Sequence, residues 1–550
     1  MLAAVIVAGF NKKDDFEISK SLDIYYSLFR ELNIFYVDEI NAGDLVETSI
    51  EKMLKSLDPY TKYIPEKDMD DFKFMTTGDY GGIGALIRKE GDYAIISQPY
   101  KDFPADKAGL KAGDEIRKIN GESIKGWELE EVSDNLKGIP ETEVTISIKR
   151  YGYDEPLEKR VTRQDLHINS VPYYGMNDTT RGVGYIRLTK FTQGAGQEVR
   201  EAFKKLDNNN EMEAVVLDLR SNPGGLLMEA VHVANIFIPK GQEVVSTKGR
   251  VKKWNETYKT EKKPLDTNIR LVVLVNRASA SASEIVAGAV QDLDRGVVIG
   301  RRTFGKGLVQ ATRPLSYNAK LKVTTAKYYI PSGRCIQAKD YSNRNEDGSV
   351  GEIPDSLVQE YTTRNGRKVY DGGGIRPDIE VEQGELSKME ISLLSKNLIF
   401  DFATQYALTH DTIPPVDQWE VNDQIYRTFA DFLEGKEWDY TTESEAKLEK
   451  LIETAKDEKY YDQAEATIKE LKEKLSHDKQ QDLKRYKSSI QARLEEEIAS
   501  RYYYQKGQIQ AGLEEDQQVK KAITVSADTS LYKSIIDGTY QRDNIKNVRE

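Results

Sequence analysis

The sequence predicts a multidomain α/β protein with a helical N-terminal region, a small β-rich domain, a core of alternating strands and helices, and an all-helical C-terminal extension. Four observations carry this. Apolar residues recur at three- and four-residue steps up to about residue 75, in short β-like runs between Gly turns from 80 to 150, and in buried-strand runs that alternate with helical stretches from about 155 to 380. Beyond about 385, Glu, Lys, Gln, Asp, Leu, Ala and Tyr dominate and strand patterns nearly vanish. The boundaries that follow are 1–14 for a partial signal or anchor segment, 15–76, 77–152, 153–384 and 385–550.

In the N-terminal region, Leu22, Tyr25, Phe29 and Leu32 share one helical face, and Leu45, Ile50, Met53, Leu54 and Leu57 form a second run. Asp44 with Glu47 fits a capping box, and Asp58-Pro59 ends the helix. The β-rich domain carries runs at 83–87, 93–97, 115–119 and 144–149, with an amphipathic stretch at 127–136. Core strands are expected at 183–188, 214–219, 269–275, 297–299 and 323–330. The stretch 443–501 is highly charged and reads as a pair or bundle of helices, and the Tyr-rich, charge-rich helices beyond 385 as a whole form either an interaction or oligomerisation face or a solvated accessory bundle.

Composition narrows the function. The 550 residues are 39% hydrophobic and 31% charged with a formal net charge of -12, as in a globular protein whose acidic surface repels nucleic acid. With Cys335 alone, neither an intrachain disulfide nor a multi-Cys zinc site can form. His167, His232, His410 and His477 are scattered with no HExxH, which argues against a metalloprotease, and no metal or cofactor is expected. The opening MLAAVIVAGF falls short of the roughly 20 residues that span a bilayer, and it resembles the end of an export or anchor segment.

Three segments could do chemistry. In LVVLVNRASASASEIVAGAVQD (271–292) a strand runs through a small-residue turn into a helix. Ser281 with Glu284 fits a capping box, which puts a hydroxyl at a helix N-terminus where free N–H groups favour negative charge. An acyl-transfer nucleophile needs such a place, although the turn taken alone reads first as a plain helix cap. In RTFGKGLVQ (302–310), Lys306 lies between two glycines and among Phe304, Leu308 and Val309, surroundings that would lower an amine pKa. Gln310 could orient that amine without raising its pKa. In AVVLDLRSNPGGLL (214–227) a buried strand turns into a helix, and the amide of Gly224 or Gly225 could form an oxyanion hole with that of Ala282. His232, on the helix that follows, could supply a Ser–His–Asp arrangement, but its apolar neighbours imply a packed helix position.

The order and spacing of DLRSNPGG (218–225), SASASEIVAGAVQD (279–292), TFGKGLVQ (303–310) and GGGIRPDI (372–379) resemble the C-terminal processing peptidase (tail-specific protease) family over residues 20 to 380. The resemblance implies a crotonase-like α/β spiral core with an inserted PDZ domain. It also implies a Ser–Lys dyad with the base 25 residues after the nucleophile, and 306 − 281 = 25 selects Ser281 and Lys306, with Gln310 as the orienting residue.

It further identifies residues 80–150 as the PDZ domain. There YGGIGALI (80–87), through Gly82, Ile83 and Gly84, would hold the free C-terminal tail of a protein or peptide substrate, or a segment of the chain itself. Location in the bacterial cell envelope, periplasmic or anchored to the inner membrane, follows from the same resemblance. The competing expectations are a tail-binding protein that no longer cleaves and crotonase-like thioester chemistry requiring coenzyme A. A homo-oligomer or adaptor contact through the C-terminal helices completes the expected partners.

Overall fold

A computed structural model describes residues 12–178, 181–209, 212–341, 344–345, 349–384, 386–475 and 478–540. The apolar run at 1–10 and His477 lie outside the described residues. The chain divides into two compact units. The first gathers the described residues up to Met69 with Gln310–Thr324 and Tyr341, and the second holds the rest.

In the first unit, helices Lys12–Phe35 and Ala42–Lys55 match the expected periodicity. The cap of the second is Asn41, not Asp44: the Asn41 side chain accepts the Gly43 and Asp44 amides, because the helix starts three residues earlier than the capping-box pattern suggested. Asp58 instead closes a turn, taking the Tyr60 and Thr61 amides at 2.8 and 2.7 Å. The expected apolar stripe on the first helix is exposed, Leu22 by 62%. Strand Lys62–Ile64 pairs antiparallel with residues 320–322.

The second unit contains the β-rich domain, a barrel-like sheet of Ala85–Glu90, Tyr93–Pro99, Glu115–Ile119, Glu143–Lys149 and Leu157–Thr162 closed by helix Leu129–Leu136. Alternating side chains of these strands (Ala94 and Ile96, Val144, Ile146 and Ile148) fill its core. Strands Asp79–Gly82 and Gln164–His167 pair antiparallel where the chain enters and leaves, which is how an inserted domain is tethered at one point.

The α/β core is a six-stranded sheet in the order Tyr173–Asp178, Val183–Arg187, Ala214–Asp218, Arg270–Val275, Val297–Gly300, Ile379–Glu380, parallel throughout except for the first pair. Its strands are apolar on both faces because both are covered. Val215, Leu217, Leu271 and Val273 pack against helices Ala195–Asn209, Leu227–Phe237 and Ala282–Asp292. Ala214, Val216, Val272 and Leu274 pack against Val519, Ala522, Val525 and Tyr532 of helices Gln517–Ala527 and Thr529–Ile536.

The end of the C-terminal extension is therefore a layer of the core and not a solvated accessory. Its apolar stripe is spent on the sheet. Helices Leu398–Thr409, Asp423–Phe432 and Lys487–Gly512 build a separate aromatic-rich core around Phe402, Phe429 and Ile498.

Candidate active site

Ser281 stands between strand Arg270–Val275 and helix Ala282–Asp292, with φ 56° and ψ -112°. A non-glycine residue held there is strained, and such strain clusters where a side chain must be presented at a sharp turn. Its neighbours are spent structurally. Ser279 and Ser283 are fully buried and donate to the carbonyls of Leu219 at 2.8 Å and Asn222 at 2.9 Å. Ser281 alone of the three is half-exposed.

Glu284 does more than the capping box required. Its fully buried carboxylate takes four donors: Thr303 Oγ1 at 2.6 Å and the Gly305 amide at 2.7 Å on Oε1, the Ser281 amide at 2.8 Å and the Lys306 amide at 2.9 Å on Oε2. One carboxylate oxygen thus ties the backbone of residue 281 to that of residue 306. Burial pushes its pKa up to about 7, against the opposing pull of those four hydrogen bonds. Tyr328, also buried, closes the same junction from the other side, its hydroxyl donating to the carbonyls of Lys306 at 2.5 Å and Ser281 at 3.2 Å. Sequence reasoning missed both residues in these roles. Only the S-x-x-E spacing hinted at Glu284.

The glycines around Lys306 permit close packing. A Cβ on Gly305 would come within 2.4 Å of the Ala338 side chain, and one on Gly307 within 2.8 Å of the Gln337 amide. Lys306 itself is half-buried. The apolar shell expected around it is incomplete: Leu308 is buried, but Phe304 is 51% exposed, while its amide donates to the Ser279 carbonyl at 3.0 Å. Gln310 belongs to the first unit, where its side-chain amide donates to Thr324 Oγ1 at 3.3 Å.

The Asn222–Gly225 turn is brought against the serine. A Cβ on Gly224, which has φ 96°, would lie 2.7 Å from the Ala280 carbonyl oxygen, 2.9 Å from the Ala282 amide and 2.9 Å from Ser281 Cβ. The Gly224 amide is held by Asn222 Oδ1 at 2.9 Å. The parallel bridge between Phe191 and Gly225 uses the Gly224 carbonyl and the Leu226 amide, which turns the Gly225 N–H to the opposite side. Asn222 also fixes the serine loop, its carbonyl accepting the Ala280 amide at 3.0 Å.

His232 is exposed rather than packed, its Nδ1 3.3 Å from Glu229, because its apolar sequence neighbours turn inward on the other faces of the helix. In the β-rich domain, Ile83 is buried and gives its carbonyl to the Ala105 amide, and Gly84 turns with φ 76°. A cavity of about 420 Å³ opens beside them between the Ala85–Glu90 strand and the helix bearing Leu129, Ser133 and Leu136, with Phe74 and Tyr80 at its rim.

Residues 182–345 match the description "Peptidase family S41", residues 95–150 "PDZ domain", and residues 389–525 "Probable PDZ-protease, C-terminal helical domain". The carboxy-terminal-processing protease of Bartonella bacilliformis is 38% identical over 346 residues, covering 62% of this chain and 76% of that relative. A probable CtpA-like serine protease of Staphylococcus aureus is 38% identical over 339 residues, covering 60% of this chain and 65% of that relative. Among solved structures, the photosystem II D1 C-terminal processing protease is similar at 28% identity and a TM-score of 0.36, over 66% of this chain and 92% of that one. On the strength of the relative matched over three quarters of its length, and of a family match that spans both Ser281 and Lys306, the chain belongs to peptidase family S41 and is a serine protease.

Proposed function

We propose that the protein cleaves other proteins at or near their C-terminal tails, with Ser281 as nucleophile, Lys306 as general base and Gln310 as the residue that orients the amine. The observation that carries this reading is the shared Glu284 Oε2, bonded to the amides of both Ser281 and Lys306. Neutral Lys306 takes the hydroxyl proton as Ser281 attacks the scissile carbonyl. The amine leaving group departs with a proton returned from Lys306, and water hydrolyses the acyl-enzyme by the same route. The amides of Ala282 and of the 224–225 turn stabilise the oxyanion, and Gly225 is the better of the two glycines because the Gly224 N–H is already engaged by Asn222.

The tail enters the cavity beside Gly82, Ile83 and Gly84, adding as a strand to Ala85–Glu90, with the apolar floor of Leu129 and Leu136 accepting the last side chain. The protein works in the cell envelope, a reading supported by the apolar run at 1–10, and no described helix is long and apolar enough to cross a membrane. Cell fractionation tests that location. The charged helices Glu443–Asp457 and Tyr461–Leu475 are the surface assigned to a second copy or an adaptor, which sedimentation at increasing concentration tests.

The enzymatic reading is tested by incubating a disordered protein such as casein with the wild type, Ser281→Ala and Lys306→Ala and reading products by mass spectrometry. The wild type alone should cleave. Fragments from either purified variant defeat the assignment.

A further inference from the structure

The C-terminal helices meet the end of the strand that leads into the Asn222–Gly225 turn in a buried network around Asp218 and Arg220. We propose that Asp516 and Gln518 are positioning residues of the active site, holding through Arg220 the turn that carries the Gly224 and Gly225 amides. The proposal rests on the reading that this turn stabilises an oxyanion.

Arg220 is 5% exposed, and its guanidinium is fully committed. Nε and one terminal nitrogen grip the Asp218 carboxylate at 3.0 and 2.6 Å, and the other terminal nitrogen donates to Asp516 Oδ2 at 2.6 Å and Gln518 Oε1 at 3.0 Å. Both C-terminal acceptors are themselves fixed. Asp516 Oδ1 caps helix Gln517–Ala527 through the amides of Gln518 and Val519 at 2.9 and 3.1 Å, which leaves Oδ2 for the arginine. Gln518 is fully buried and donates to the Val381 carbonyl at 2.7 Å, beside the edge of the core sheet.

Arg220 is also where the turn begins. Its own amide bonds Asp218 Oδ1 at 2.8 Å, its carbonyl accepts from Arg187 at 2.9 Å, and Ser221 immediately after it takes the left-handed φ of 58°. The Gly225 amide lies five residues further on. Burial alone would raise the Asp218 pKa, but Arg220 and Arg187 outweigh it and hold the carboxylate well below the usual range. A guanidinium shared between Asp218 and the C-terminal pair sets where the strand ends and the turn starts. A small displacement of preorganised amides costs rate, not substrate affinity.

Asp516→Asn keeps the helix cap and replaces only the acceptor that faces Arg220. Gln518→Met removes the second acceptor at nearly constant volume. Both are assayed as full-length protein for kcat and KM on fluorescein-labelled casein, for the rate at which a fluorophosphonate labels the serine, and for thermal unfolding. The expected result is a fall in kcat and in labelling rate of roughly 10-fold, with KM held within about 2-fold, and a melting transition that remains cooperative. Unchanged kcat and labelling in a folded Asp516→Asn protein overturn the proposal. So does a loss that merely follows the fraction unfolded, or one that falls on KM alone. A wild type that neither cleaves nor is labelled overturns the underlying protease assignment, and this inference with it.

Discussion

Glu284 Oε2 accepts the backbone N–H of Lys306 at 2.9 Å while the same oxygen holds the amide of Ser281 at 2.8 Å, so a buried carboxylate joins two loops separated by 25 positions in the chain. A charge that is fully buried yet paired only with neutral donors is costly unless every lone pair is used, and here four donors use them.

Only the ionised form accepts from all four donors. Protonation puts an O–H among them and changes the hydrogen bonds that set the Ser281 and Lys306 backbones, so the catalytic geometry shifts as pH falls through about 7 even though burial favours the proton. Activity of the wild type therefore rises with pH through an inflection near that value. The stability contribution runs the other way: with the native pKa above its unfolded value, it is fully present below the ordinary glutamate range and is lost as pH rises through about 7. Glu284→Gln should abolish the inflection near 7 and lower kcat at every pH. A pH–rate profile of the variant superimposable on that of the wild type contradicts this.

Tyr328→Phe removes one hydroxyl from two carbonyls at the same junction. It should cost about 1 kcal/mol of stability and lower kcat several-fold with KM unchanged, measured by chemical denaturation and steady-state kinetics on casein. No change in kcat would separate this hydroxyl from catalysis.

Gly224→Ala places a methyl 2.7 Å from the Ala280 carbonyl oxygen and 2.9 Å from Ser281 Cβ, at a φ that disfavours any L side chain. The turn must retreat from the serine. A loss in kcat of roughly 100-fold is expected from a protein that still melts cooperatively, and near-wild-type turnover would place the oxyanion donors elsewhere.

Leu129→Arg puts a charge into the apolar floor of the cavity proposed to take the substrate tail. It should raise KM for substrates with a free C-terminal carboxylate by about 10-fold or more and leave kcat nearly unchanged. The same substrate with an amidated terminus should bind the wild type weakly and be indifferent to the substitution. Equal KM values for the two proteins on the free-acid substrate would remove this cavity from substrate capture.

The parts of the fold that repeat with a local period were readable from sequence. Val215, Leu217, Leu271 and Val273 announce buried strands by their apolar neighbours alone, and the Ser281 turn is visible as small residues between a strand and a helix. What was not readable depends on contacts made at long range. Glu284 looked like a helix cap because its other partners, Thr303, Gly305 and Lys306, come from a loop 19 to 22 positions downstream. Asn41 took the cap expected of Asp44 because both are good capping residues and tertiary context chose the earlier start. Val519, Ala522 and Val525 share one helical face, but nothing local says that the core sheet is its partner. At Phe304 and His232 the converse holds: apolar neighbours in sequence are not neighbours in space, and both side chains are exposed.

The most direct measurement is peptide mapping of the enzyme after reaction with a fluorophosphonate, wild type beside Lys306→Ala. A single adduct on Ser281, formed faster as pH rises and lost in the lysine variant, is the predicted result. An adduct on Ser279 or Ser283, or undiminished labelling of Ser281 without the lysine, would contradict it.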